Sequence, residues 1–385
     1  MTPSPFSALG PAPIDPIFAI AAEAKAAGAA AIDATVGMIL DEAGKPLVLP
    51  CVRQAAAALA EGDFAYPPLL GLPAFRSCVT QLIFGDRSGA IASIAATGGT
   101  GAVALNLKLL KLLGITEVIL PVPSWPNHRR LLTGLGFSVQ EVSYLQEGRP
   151  TLRSLQEKLA SMRSPCGVLL QGGGHNPTGV DFSPEQWKEL SQLLGATQHV
   201  VLLDLAYQGL ARGVEEDAGP ARLFVESGAP LLVAWSASKN HSIYGLRTGL
   251  ACVIADDPAM HQNLERHFMI LAREMHSAAP VPGQSIVALV QERHGDAWRR
   301  EIAEVRTHID RKRRLLQEAF PSFAVALAGR GLYALLPLSS AQVDALKRQN
   351  IFLGQDGRVN IAGIPDARMD EFVTRARSIT ASLPR

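Results

Sequence analysis

Residues 231–249 read LLVAWSASKNHSIYGLRTG, and the rest of the chain takes its meaning from them. An apolar run, Leu231 to Trp235, has the composition of a buried strand and ends in Ser236, Ser238 and Lys239. A lysine held at the end of such a strand is partly desolvated. That lowers its pKa and leaves its amine free to attack a carbonyl. Eight residues on comes Arg247, a fixed positive charge flanked by Gly245 and Gly249. Hydroxyls, a lysine and an arginine so close together suit a phosphorylated aldehyde, with the lysine as Schiff base and the others on phosphate. The competing reading is a lysine on a solvent loop after a strand. This stretch alone does not choose.

Composition narrows the field. A chain of 385 residues implies two domains, or one large and one small; with 48% apolar and 18% charged residues it can bury a sizeable core. A net charge of +1 gives no electrostatic footprint for nucleic acid or an anionic membrane. Cys51, Cys78, Cys166 and Cys252 lie far apart with no C-x-x-C pair, as expected of free thiols in a reducing compartment. The first thirty residues lack a basic start followed by an apolar core, so no secretory signal is read. Residues 88–107 carry no charge, but four glycines and several polar residues interrupt them. They read as a loop running into a helix rather than a membrane span. A soluble cytoplasmic protein is expected.

Taken in order, residues 1–14 read as an extended arm, and Asp15 with Pro16 opens a helix to Gly28. Ala31 to Gly37 reads as a short strand and Asp41 to Lys45 as a turn. Tyr66 sits on a loop made rigid by Pro67 and Pro68. Thr97-Gly-Gly-Thr-Gly101 precedes an apolar-periodic helix from Val103 to Leu113; backbone N–H groups there suit an anion, and no nucleotide motif is present. Strands at 117–121, 137–142, 167–171 and 199–204 then alternate with helices at 125–135, 152–162 and 184–194. That rhythm predicts an α/β fold with a mostly parallel sheet sandwiched by helices, its ligand beyond the carboxyl ends of the strands. The candidates fall at those ends: Trp125 and His128 in PSWPNH, Asn176 in HNPTG, and Asp204 with Tyr207 in DLAYQG. An acid ending an apolar strand is costly unless paired. Singly, each of these also reads as packing. A long amphipathic helix follows from Asp296 to Phe320, and residues 321–385 mix short strands with a final helix.

PSWPNH, HNPTG, D-x-A-Y-Q-G, S-x-S-K and G-x-R-x-G, in this order, resemble the class I aminotransferases that use pyridoxal phosphate, in their aspartate and aromatic branch. The resemblance runs from Asp15 to the last helix. It implies fold type I, with residues 1–45 as arm and part of a small domain, 46–295 as the large cofactor-binding domain and 296–385 as the small carboxyl-terminal domain. It implies Lys239 as the Schiff-base and proton-transfer lysine, Trp125 stacked on the cofactor ring, and Asn176 and Tyr207 on its phenolate oxygen. Asp204 would hold the ring nitrogen with His128 behind it, and Gly99, Thr100, Ser236 and Arg247 would hold phosphate. Gly37 would lie against the substrate carboxylate and Arg358, in GRVNIAG, would clamp it, with Asp356 a possible competitor. Tyr66 and Arg273 would be supplied by the other subunit of a homodimer, Tyr66 to phosphate and Arg273 to a distal carboxylate. Ala278 and Ala279 depart from the family there and would open space for aromatic substrates. His175 is expected to pack. The reaction implied is amino-group exchange between an L-amino acid and a 2-oxo acid. A lyase or decarboxylase on the same fold, or a non-catalytic relative binding the cofactor, is the alternative.

Overall fold

The computed structural model describes residues 4–12, 14–86, 91–255 and 257–380. Thirteen strands follow in chain order among them. β1 (Ile32–Asp33) comes first, then β2 (Ile91–Thr97), β3 (Glu117–Val122), β4 (Ser138–Ser143), and a small hairpin of β5 (Leu145–Gln146) and β6 (Arg149–Pro150). β7 (Gly167–Gln171), β8 (Val200–Leu205), β9 (Leu231–Ser236) and β10 (Thr248–Ile254) complete the large part. β11 (Tyr333–Leu335), β12 (Ile351–Phe352) and β13 (Arg358–Asn360) belong to the carboxyl-terminal part.

The central sheet has seven strands in the order β2-β10-β9-β8-β7-β3-β4, and only β10 runs antiparallel to its neighbours. Strand alternation explains why the apolar runs are unbroken. Along β9, Leu231, Val233 and Trp235 enter one core, while Leu232 and Ala234 enter the core on the opposite face. Helices Pro73–Phe84, Arg153–Ser161, Pro184–Gly195 and Val214–Ser227 cover the first face; Gly98–Leu112 and Pro258–Met275 cover the second. A third core joins Ile32 and Ala34 to Leu316, Phe320, Leu336, Ile351, Val359 and Phe372, so the chain's first strand is stitched into its last hundred residues. β1 pairs parallel with β12, and β11 pairs antiparallel with β13.

Several expectations need correction. The glycines before Val103 form the first turn of helix Gly98–Leu112, and not a loop. The uncharged stretch ahead of them holds strand β2, whose small residues hid it; residues 88–90 of that stretch lie outside the described residues. The arm holds a 3₁₀ turn, Pro5–Ala8, capped by Ser4, so it is not wholly extended; residues 1–3 and 13 lie outside the described residues. A helix expected from Gln284 starts earlier, at Val281, and continues across non-helical dihedrals at His294 into the long helix expected from Asp296, which ends at Ala319. Asp15 caps its helix as expected, its carboxylate accepting from the Ile17 N–H at 2.9 Å. No helix among the described residues is long and apolar enough to cross a membrane.

Candidate active site

Because β3, β7, β8 and β9 run parallel, the segments that follow them meet at one edge of the sheet, and a cavity of about 420 Å³ opens there. Gly37, Gly99, Thr100, Trp125, Asn176, Asp204, Tyr207, Ser236, Lys239, Arg247 and Arg358 all line it. A larger groove, about 750 Å³, lies against Glu215, Arg222 and Arg299, whose charges already pair with one another.

Asp204 anchors the cavity floor. Its Oδ2 accepts from His128 Nε2 at 2.9 Å, and the other ring nitrogen, Nδ1, faces the Ser124 hydroxyl at 2.9 Å. Ser124 meets Gln171 Nε2 at 3.3 Å, and Gln171 holds the Asn176 backbone through both its amide atoms. The carboxylate is thus fixed in one plane from behind. Its other oxygen, Oδ1, is buried and has no protein partner. A buried carboxylate oxygen left alone costs several kcal/mol in principle, of order 1–3, so this atom calls for a proton donor from the cavity.

Lys239 sits across the cavity, its ammonium 5.2 Å from the centre of the Tyr207 ring. Burial pushes its pKa down to about 8, helped by the charge of Arg247 and opposed by Asp204. Asn176 Nδ2 donates to the Tyr207 hydroxyl at 3.2 Å. Trp125 meets His128 edge to face, ring centres 5.1 Å apart, and so holds its indole plane against the cavity wall.

One end of the cavity is built for an anion. Helix Gly98–Leu112 points its amino terminus there, and Gly99 and Thr100 lie in its first turn. Two glycines let the backbone come this close. Gly98 has φ +72°, and a Cβ on it would lie 2.6 Å from Arg247 Nη2; one on Gly249 would lie 2.6 Å from the Gly98 carbonyl carbon. Ser236 and Arg247 complete this end, with Arg247 Nη1 donating to the Tyr244 carbonyl at 3.1 Å.

The opposite end belongs to Arg358, 5% exposed. Nη1 donates to Asn176 Oδ1 at 3.3 Å, Nη2 to the Thr35 carbonyl at 3.2 Å, and Nε has no partner. Asp356 does not compete for the guanidinium: its Oδ1 accepts from the Arg358 backbone N–H at 3.1 Å instead, a tight turn within the chain. Gly37 lies beside Tyr333, close enough that a Cβ would fall 2.1 Å from the tyrosine oxygen.

Two expected residues do not reach this cavity from their own chain. Tyr66 is 98% exposed, and Arg273 lies exposed at the end of helix Pro258–Met275, donating to Ser277 Oγ at 2.7 Å. Ala279 is buried in the core and Ala278 is half-buried, and neither lines this cavity from its own chain. His175 stacks on Tyr144 at 4.1 Å, the packing role expected of it. Sequence reasoning missed Gln171, Tyr333, and Arg130 with Asp15, an ion pair at the cavity mouth. A polar residue closing the apolar run 167–170 was the one available signal for Gln171. Tyr333 lies in an apolar run and looks like any core aromatic.

A family model described as aminotransferase class I and II matches residues 31–375. The chain belongs to this family. The aminotransferase is 34% identical over 384 residues to the aspartate aminotransferase of Salmonella typhi, covering 94% of this chain and 96% of that one. It is 33% identical over 352 residues to the aromatic-amino-acid aminotransferase of Paracoccus denitrificans, covering 87% and 89%. Its fold matches the crystal structure of the aromatic-amino-acid aminotransferase of Burkholderia pseudomallei, covalently bound to pyridoxal phosphate. There the TM-score is 0.91 at 30% identity, over 98% of this chain and 99% of that one. It is a pyridoxal-phosphate enzyme of fold type I, and amino acids and 2-oxo acids are its substrates.

The residues present fit that cofactor. The orphaned Asp204 Oδ1 faces where a protonated ring nitrogen would donate, the Gly98–Gly99 cradle accepts a phosphate, and Lys239 offers an amine. An amine with pKa about 8 is half free at pH 8, whereas an ordinary lysine is still almost wholly protonated there. The rate at which cofactor-free protein captures pyridoxal phosphate therefore rises with pH and levels off above about 8. Stopped-flow absorbance checks this; a rate still climbing steeply through pH 10 contradicts the lowered pKa.

Proposed function

We propose that the aminotransferase is a cytoplasmic homodimer with shared active sites that accepts L-aspartate, L-glutamate and aromatic L-amino acids. The observation that carries the site assignment is Arg358: a buried guanidinium with a free Nε, at the opposite end of the cavity from the phosphate cradle. A substrate α-carboxylate placed on it, as a bidentate pair with Gly37 and Asn176 alongside, brings the α-carbon over Lys239. Pyridoxal phosphate supplies an electrophilic carbon and an electron sink. Trp125 covers its ring, Asp204 keeps its nitrogen protonated with His128 holding the carboxylate, and Asn176 with Tyr207 addresses its phenolate oxygen. Gly99, Thr100, Ser236 and Arg247 hold the phosphate. Lys239 Nζ would hold the cofactor and serve as the base and acid that moves the substrate α-proton.

Several observations support the remaining assignments. Tyr66 and Arg273 are exposed in their own subunit, as residues delivered to a neighbouring site would be, and the arm carries exposed Phe6, Leu9 and Ile14. In this reading the partner's Tyr66 reaches phosphate and the partner's Arg273 reaches the distal carboxylate. The named relatives include both aspartate and aromatic aminotransferases. All four cysteines are free, as a reducing compartment allows. The kink at His294 supports domain boundaries at 1–45, 46–295 and 296–385, with the first segment divided between the arm and the small domain.

Sharing of the sites has a direct test. A dimer of Lys239→Ala and a dimer of Tyr66→Leu/Arg273→Ala are each nearly inactive toward L-aspartate. Mixing the chains yields hybrids with one intact site, restoring about a quarter of wild-type activity if exchange is random. Without restoration in hybrids verified by mass, the sites are not shared. Arg273→Ala alone should cut kcat/KM for L-aspartate by about 2–5 kcal/mol and spare L-phenylalanine; equal losses on both sink its distal role.

A further inference from the structure

Tyr333 is 2% exposed and lines the cavity, yet no motif marks it. Its ring lies beneath Arg358, the guanidinium carbon 5.1 Å from the ring centre. It meets the Tyr207 ring edge to face at 6.0 Å and 87°. Arg358 bonds Asn176, and Asn176 bonds Tyr207. Four side chains thus close a ring: Tyr333, Arg358, Asn176 and Tyr207.

The ring explains how Arg358 is held. No carboxylate reaches its guanidinium, since Asp356 is spent on the backbone. An aromatic face restrains the plane of a desolvated guanidinium while leaving its N–H edge free for an incoming anion. A carboxylate in the same place would occupy that edge.

We propose that Tyr333 is a positioning residue for amino-group transfer, its ring orienting Arg358 for the substrate carboxylate. The proposal rests on the site assignment above. Two variants of the holoenzyme separate the ring from its hydroxyl, and both are read without turnover. The affinity for succinate or 3-phenylpropionate, carboxylates with no amine, reports the readiness of Arg358; the tighter ligand of the wild type is used.

Tyr333→Phe keeps the ring and loses the hydroxyl, and ligand affinity stays within about twofold of the wild type. Tyr333→Leu loses the ring as well, and affinity falls by about tenfold. A Tyr333→Leu affinity within about twofold of the wild type, or a Tyr333→Phe affinity that falls as far as that of Tyr333→Leu, overturns the proposal. A tyrosine that merely packs would lower thermal stability in Tyr333→Leu and leave ligand affinity unmoved. Tyr333→Met takes the place of Tyr333→Leu, with the same expected loss, if the latter does not fold. A wild-type protein with no visible cofactor band instead defeats the site assignment itself.

Discussion

Lys239→Ala all but abolishes amino-group transfer: loss of a positioned proton carrier alone lowers kcat by on the order of 10²–10⁴-fold, and loss of the covalent attachment adds to it. In the proposed reading the lysine has two tasks, to bind the cofactor covalently and to move the substrate α-proton. Both need a free amine, and burial to a pKa of about 8 supplies one. The substitution leaves the phosphate end, Asp204 and Arg358 in place, because Lys239 makes no hydrogen bond that these groups need. The variant should therefore fold and retain the cofactor non-covalently while turning over nothing. Undiminished transamination in a coupled assay, with the variant's mass verified, refutes the role given to Lys239.

Asp204→Asn has the second largest effect. The carboxylate is held by His128 on one oxygen and offers the other, unpartnered, to the cavity. An amide of the same shape keeps the packing but removes the charge that stabilises a protonated ring nitrogen. Breaking a buried pair of this kind costs about 3–5 kcal/mol, equivalent to on the order of 10²–10⁴-fold in kcat/KM. Cofactor capture by Lys239 should survive, since the lysine and the phosphate cradle are untouched. Steady-state kinetics checks the loss, and a loss within about threefold would show that the charge of Asp204 does little.

The two substitutions bear on residues that the sequence made legible, and the reason is physical. β7, β8 and β9 are buried on both faces, so each is an unbroken apolar run, and the first polar residues after each run fall at the ligand edge. Asp204 and Lys239 are legible that way, whereas Asn176 is legible from the HNPTG motif beyond Gln171. β2 escaped because IASIAAT is built of small residues beside glycines and carries no strand signature. The glycines read as a loop because glycine is a poor helix former, yet here close approach to Arg247 and Ser236 outweighs propensity. Tyr333 was invisible for a different reason. Its partners Arg358 and Tyr207 come from distant segments, and only the folding of β11 against β13 brings it beneath the guanidinium. Asp356 shows the same limit: adjacency in sequence suggested an ion pair with Arg358, but backbone geometry turned its carboxylate to an N–H.

The central claim is that this cavity holds pyridoxal phosphate on Lys239 and passes an amino group through it. It is tested most directly by the absorbance spectrum of the purified protein loaded with cofactor, before and after adding L-aspartate and, separately, L-phenylalanine. The expected result is a visible band that is lost on addition of amino acid as the cofactor converts to its amine form, and restored by 2-oxoglutarate. A band that neither amino acid changes, or no band at all, contradicts it.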